Sequence, residues 1–226
     1  MQAQSHLELF ARLTMASIDV ELQDEFATVM AFLEENPESA RMRRLKNPPA
    51  RGSEAHVTYE AIRFSQSRQP RFPRRPTTIP DPAVSRVLGS YFDVEPSRLD
   101  DAKVEHQLSM AAENLVGDLL ERYISKSVKQ DGWVWCSGEA AKSIDFVRRG
   151  RDEGHAWESL QVKNRDNSEN SSSAAIRNGT SIRKWHRTRS KTGETQWDLF
   201  PAKTSVPLTE PGFLDFIDEY FAGHAH

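Results

Sequence analysis

The sequence predicts an α/β fold, a mixed sheet flanked by helices and preceded by a helical N-terminal portion. Three patterns predict it. Apolar residues recur at helical spacing through residues 4–46. Short alternating apolar and polar runs follow between 132 and 164. Helical spacing then returns on both sides of those runs, near 98–126 and 211–221, as expected of helices that cover a sheet.

Taken in order, Leu7, Phe10, Leu13 and Ile18 lead into Leu22, Phe26, Val29, Met30 and Leu33 with i, i+4, i+7 spacing. Pro37 suits the first turn of a further short helix. Between 47 and 80, Pro48, Pro49, Pro70, Pro73, Pro76 and Pro80 interleave with arginines. Most of that tract is expected to be extended or irregular, with a strand near Val57–Phe64. Helices are expected over about 81–92 and 98–126, the second with a core stripe of Leu108, Ala112, Leu115, Leu119 and Tyr123. Gly132-Trp133-Val134-Trp135 and Ser143-Ile144-Asp145-Phe146-Val147 read as two strands, Gly150–Gly154 as a charged turn and Trp157–Asn164 as a third strand. Residues 172–189 read as short helix alternating with basic loop, with Gly179 as a helix stop. The division expected is a helical, Pro/Arg-rich portion at 1–97 and a core at 98–226, an order also compatible with one continuous domain.

Composition narrows the function classes. Of 226 residues 37% are hydrophobic and 28% charged, ordinary for a globular chain. No apolar run approaches the ~18 residues of a membrane span, and no signal-like segment opens the chain, so the expected location is the cytoplasm. Cys136 is the single cysteine, which excludes an intrachain disulfide and a Cys-rich zinc site. The net charge of −3 does not point to a polyanion, but its distribution does. Arg41–Arg75 holds ten Lys/Arg against Glu54 and Glu60, and Asn170–Gly193 holds six basic residues and no acidic ones. The first tract is compatible with a plain linker or with an arm that follows a phosphate backbone.

Strand alternation places Ile144 and Phe146 on one face and Asp145 on the other. In the next strand Leu160 and Val162 are expected inward, with Gln161 and Lys163 on the opposite face. An acid, a carboxamide and an ammonium on one side of a sheet suit phosphodiester cleavage. Oxygen ligands for a hard cation such as Mg²⁺ would come from Asp145, the Gln161 side chain and the Val162 carbonyl. Lys163 can orient the attacking water and neutralise charge on phosphorus.

This pattern resembles the PD-(D/E)XK nuclease superfamily, in which an acid on one strand is followed by acid-x-Lys on the next. The resemblance implies a restriction-endonuclease-like core, Mg²⁺ as cofactor, and a helix glutamate that Glu113 matches. Gln161 departs from the usual acid, which puts more weight on Asp145 and Glu113. Directly after Lys163 the chain is amide- and hydroxyl-rich, and such groups pair with base edges. Leu108–Tyr123, Gln161–Ser173 and Ile176–Trp185 are similar to the SinI/AvaII group of type II restriction endonucleases, which cut the interrupted palindrome GG(A/T)CC. The implied partners are double-stranded DNA and a second copy of the chain, since a palindrome matches a two-fold protein.

The DNA-contacting residues expected are Asn164, Arg165, Asp166, Asn167, Ser168, Asn170, Ser171, Ser172 and Arg177 towards the bases. Lys184, Arg187, Arg71, Arg74 and Arg75 are expected towards phosphates, and Arg183 as a further DNA contact. Trp133, Trp135, Trp157 and Trp197 read as core, and Trp185 stays open between core and base stacking. Glu139 reads as a surface acid, Cys136 as packing, and Glu158 as facing away from Gln161. Two other readings remain: a repair or junction-cleaving nuclease with the same chemistry, and a DNA-binding module without catalysis.

Overall fold

The computed structural model describes residues 5–41, 46–73, 77, 81–150, 156–166 and 182–223. The described chain forms two compact units, one of residues 1–69 with 120–226 and one of 70–119. The first unit opens with α1 (His6–Ala16), α2 (Gln23–Glu35) and α3 (Glu54–Arg68). Ser5 caps α1 by accepting the Glu8 N–H, and Ser53 caps α3 by accepting that of His56, each satisfying a donor the helix leaves open. Where a strand was expected near Val57–Phe64, the chain is helical. Val57, Glu60, Ala61 and Phe64 are its buried side, spaced i, i+3, i+4, i+7.

The sheet is mixed and four-stranded, in the order β1 (Val134–Trp135), β2 (Phe146–Arg149), β3 (Trp157–Arg165) and β4 (Arg183–Thr188). β1, β2 and β3 pair antiparallel, with Trp135 opposite Phe146 and Phe146 opposite Leu160. β4 pairs parallel with β3, Val162 lying opposite Trp185. A strand therefore occupies 183–188, part of the tract expected to be helix and basic loop. Two of its charged side chains are paired internally, Arg183 with Glu158 and Arg187 with Glu210, so a polar sequence can pack. The expected turn at 150–154 and the helix stop at Gly179 lie outside the described residues, apart from Gly150 itself.

α1–α3 share one core with the strands, in which Met15, Phe26, Val29, Val57 and Phe64 pack with Cys136, Ile144, Val147 and Trp157. A second, aromatic cluster joins Tyr123, Trp185, Trp197 and Phe213, the last from α6 (Glu210–Ala222), with ring centroids 5.1–6.1 Å apart. Trp133, Trp135, Trp157 and Trp197 are buried as expected, and Trp185 joins them. The segment before β2 is tied to the N-terminal helices by a bridge between Ala40 and Ala141. Arg41 N–H donates to the Ala140 carbonyl and Lys142 N–H to that of Ser39, at 2.9 and 2.7 Å.

The second unit holds α4 (Pro82–Tyr91) and the larger part of α5 (Leu99–Val128), which runs on into the first unit. Pro82 follows the Asp81 cap, where its missing N–H costs nothing. Of the stripe expected along α5, Leu115, Leu119 and Tyr123 are buried, whereas Leu108 and Ala112 are exposed.

Candidate active site

Asp145 stands just before β2, at the point where β1 and β2 stop pairing. Its backbone is fixed on both sides: its N–H donates to the Leu160 carbonyl at 2.9 Å, and its carbonyl accepts the Cys136 N–H at 2.8 Å. β3 continues past the end of β2, so the Val162 N–H has no strand partner there. The Asp145 side chain supplies one, Oδ2 accepting that N–H at 2.7 Å. A strand residue directs its N–H and C=O to the same side. The Val162 carbonyl therefore faces the Asp145 side of β3.

Burial pushes the Asp145 carboxyl up from 3.8 to about 6, while the Val162 N–H and the positive charge of Lys163 pull against that rise. Lys163 is thus near enough for its charge to be felt at Asp145. Its own side is exposed, two residues along β3 from Gln161. Gln161 departs from the open placement expected of it: only 2% of its surface is exposed. Leu160, Gln161 and Val162 are all buried, so alternation did not separate an inner from an outer face.

The donor chemistry suits a hard divalent cation. A carboxylate that is costly to ionise where it sits is eased by a cation beside it. A backbone carbonyl faces the same side, and a carboxamide lies one residue before it. Among the described residues no three His, Cys, Asp or Glu side chains gather as a complete cage. A cation held by Asp145 would complete its shell with neutral protein oxygens, water and phosphate.

The other expected residues fall into three groups. Glu113 lies exposed on α5 in the second unit, whereas Asp145, Gln161 and Lys163 are in the first. Asn167, Ser168, Asn170, Ser171, Ser172, Arg177, Arg74 and Arg75 lie outside the described residues. The remainder are largely engaged inside the protein. Asn164 Oδ1 accepts from Arg187 Nε at 2.9 Å, and Arg187 also pairs with Glu210 and lies 5.0 Å from the Phe213 ring centre. Arg183 donates to the Pro201 carbonyl at 2.6 Å and pairs with Glu158, which faces away from Gln161 as expected. Asp166 accepts from the Ser190 N–H and hydroxyl, both at 2.6 Å, which lowers its pKa. Arg71 pairs with Asp118 at 3.2 Å within the second unit. Arg165 and Lys184 are exposed. Glu139 is exposed and pairs with Arg41 at 3.2 Å, a surface acid as expected.

One residue at this site carried no signal in the sequence. Arg68, at the end of α3, is stacked between the Phe64 and Trp135 rings at 4.7 and 4.5 Å. It donates to Ser137 Oγ at 2.9 Å, the Trp135 carbonyl at 2.8 Å and Glu25 Oε2 at 2.7 Å. In the sequence it is one arginine of a basic tract; only the fold shows it turned inward.

Comparison with known proteins identifies the family. The family model described as SinI restriction endonuclease matches residues 8–223. The chain is 45% identical over 215 residues to the type II restriction enzyme Eco47I of Escherichia coli, covering 94% of this chain and 93% of that protein. It is 44% identical over 215 residues to the type II restriction enzyme SinI of Salmonella infantis, with the same coverage. Matches of that extent span most of the chain, which belongs to the SinI restriction endonuclease family, whose named members are type II restriction enzymes.

Proposed function

We propose that this enzyme hydrolyses phosphodiester bonds of double-stranded DNA with Mg²⁺, at an interrupted palindrome of the GG(A/T)CC kind, acting as a homodimer. The observation that carries the reading is the Asp145 carboxyl, half-buried, anchored on the Val162 N–H and within the field of Lys163. The recognition sequence follows from the resemblance to the SinI/AvaII group, which the identity over 94% of the chain supports. Two copies are called for because each subunit of a two-fold protein cuts one strand of a palindrome.

Bound at Asp145 and the Val162 carbonyl, with the Gln161 carboxamide as a further oxygen donor, Mg²⁺ would supply Lewis-acid stabilisation of the phosphate charge. The chain's own groups do the rest. Asp145 is held in one orientation by three backbone hydrogen bonds, so ligand geometry is set before DNA arrives. Lys163 orients the attacking water and offsets the charge that builds on the phosphoryl oxygens. Water attacks phosphorus in line, the bond to the 3′-oxygen breaks, and the leaving oxygen takes up a proton. Glu113, carried over from the superfamily pattern, is assigned as the helix acid of the same reaction. Asn164–Ser172 and Arg177 are assigned to base reading, Arg71, Arg74, Arg75, Lys184 and Arg187 to phosphates, and Arg183 to DNA contact. Among these, Asn164, Arg183 and Arg187 would have to exchange internal partners to reach DNA.

Digestion of a sequenced plasmid with run-off mapping of the ends tests the reading. Cleavage at GG(A/T)CC sites, dependent on Mg²⁺ and stopped by EDTA while binding persists, is the expected result. Cutting confined to branched or damaged DNA would point to a repair nuclease, and binding without cleavage to a non-catalytic module.

A further inference from the structure

Three hydrogen bonds orient Asp145, and one comes from Cys136 in the short segment 135–138 after β1. That segment has little regular structure of its own to hold it. β1 is two residues long, and Gly138 sits at φ +80°, a conformation that only glycine adopts without strain. What fixes it is α3. Arg68 grips the segment on either side of Cys136, through the Trp135 carbonyl and the Ser137 hydroxyl. At Gly138 the backbone comes so close that an added Cβ would meet the Arg63 carbonyl and the Phe64 backbone at 3.1 Å.

We propose that Arg68 is a positioning residue for cleavage: through the 135–137 segment it holds the Cys136 N–H, and with it the Asp145 backbone, in catalytic register. The inference rests on the reading of Asp145 as the strand acid. The chemistry of the guanidinium fits this task. Its planar fork directs Nε to Ser137 and a terminal nitrogen to both Trp135 and Glu25, a set that one ammonium cannot reproduce. Only 14% of the side chain is exposed, so the fork is committed to the protein interior rather than to a phosphate. Glu25 keeps its charge compensated, and itself pairs with Lys129 at 2.9 Å. Arg68 therefore joins α2 and α3 to the end of β1 and the segment after it, whose Cys136 N–H holds the Asp145 carbonyl.

Arg68→Lys keeps the charge beside Glu25 and loses the fork; Ser137→Ala removes one acceptor alone. The test measures the single-turnover cleavage rate at saturating DNA, cognate DNA affinity in Ca²⁺, and the Mg²⁺ concentration for half-maximal rate. A displacement on the order of 1 Å can cost about 10²-fold, so Arg68→Lys should cut the rate by about 10- to 100-fold. Ser137→Ala should lower it less, and both variants should need more Mg²⁺ while binding DNA as the wild type does. Wild-type rates in Arg68→Lys and Ser137→Ala would overturn the proposal. So would a loss of DNA affinity with the saturated rate unchanged, which would make Arg68 a phosphate contact. Asp145→Asn, measured alongside, keeps the two ideas apart. If it still cleaves, the reading of the acid has failed. If it is inactive and Arg68→Lys is fully active, only the positioning role has failed.

Discussion

The C-terminal end of β2 carries Arg149, whose guanidinium pairs with Glu8 at 3.1 Å and Glu35 at 3.4 Å and lies over the Trp157 ring. Glu35 also accepts the Trp157 indole N–H at 2.7 Å. Every charge in that cluster has a fixed partner of opposite sign. The residue that leads into the other end of the same strand is Asp145. Among the described residues its carboxyl has a backbone N–H and the field of a lysine, and no arginine ion pair. One end is arranged so that its charges cost little to bury. The other keeps an acid whose ionisation is opposed by its surroundings, and a cation brought with DNA would relieve that. The difference separates residues that hold the sheet together from residues held ready by it.

Lys163→Ala breaks the second end alone. Loss of one positioned charge should lower the cleavage rate by about 10²–10³-fold, read by single-turnover kinetics, with the unfolding curve unchanged. Arg149→Ala breaks the first end alone and leaves the buried Glu8 with the more distant Arg12, at 4.0 Å, as its cation. Discounted for the partial exposure of Arg149, the cost should be about 1–3 kcal/mol by denaturant titration, with the saturated cleavage rate retained.

Arg165→Ala sharpens the same contrast at the C-terminal end of β3, where its side chain is exposed while Arg187 on β4 is tied to Glu210 and Asn164. A base-reading arginine should cost about 1–3 kcal/mol and relax preference at one base pair, read by cognate and one-mismatch binding across a salt series. Arg187→Ala should lower stability instead, leaving preference intact. The smallest effect is a pH dependence. The Asp145 pKa is raised, so the folded protein holds a proton that the unfolded chain releases. Stability from this group is present at low pH and lost as pH rises from 3.8 through about 6. Metal-free wild type should therefore lose stability across that window relative to Asp145→Asn, measured by melting at stepped pH.

Much of this was legible in the sequence where periodicity and burial agree. α1, α2, α4, α5 and α6 follow their apolar spacing, and β3 its length and Trp157 start. α3 was misread because Glu60 occupies a buried position in its helical stripe. With that position polar, Val57, Tyr59 and Ala61 imitate a strand. β4 was missed because Arg183, Lys184, His186 and Arg187 dominate its sequence, and only the fold reveals the acids that pair Arg183 and Arg187. At the site, the acid and the lysine were visible as a spaced pattern. The Val162 N–H that anchors Asp145, the burial of Gln161 and the grip of Arg68 depend on contacts far apart in sequence, which no local pattern encodes.

Asp145→Asn tests the central claim most directly, with cleavage, cognate binding and melting followed on one preparation. The amide keeps the shape and can still accept the Val162 N–H, but brings no charge for a cation. The account predicts no cleavage in Mg²⁺, cognate DNA binding retained, and a metal-free melting midpoint at pH 7 no lower than that of the wild type. Cleavage at the wild-type rate would contradict it. So would a variant that loses activity only because its cooperative unfolding is lost, since Asp145 would then belong with Arg149 among the residues that hold the sheet.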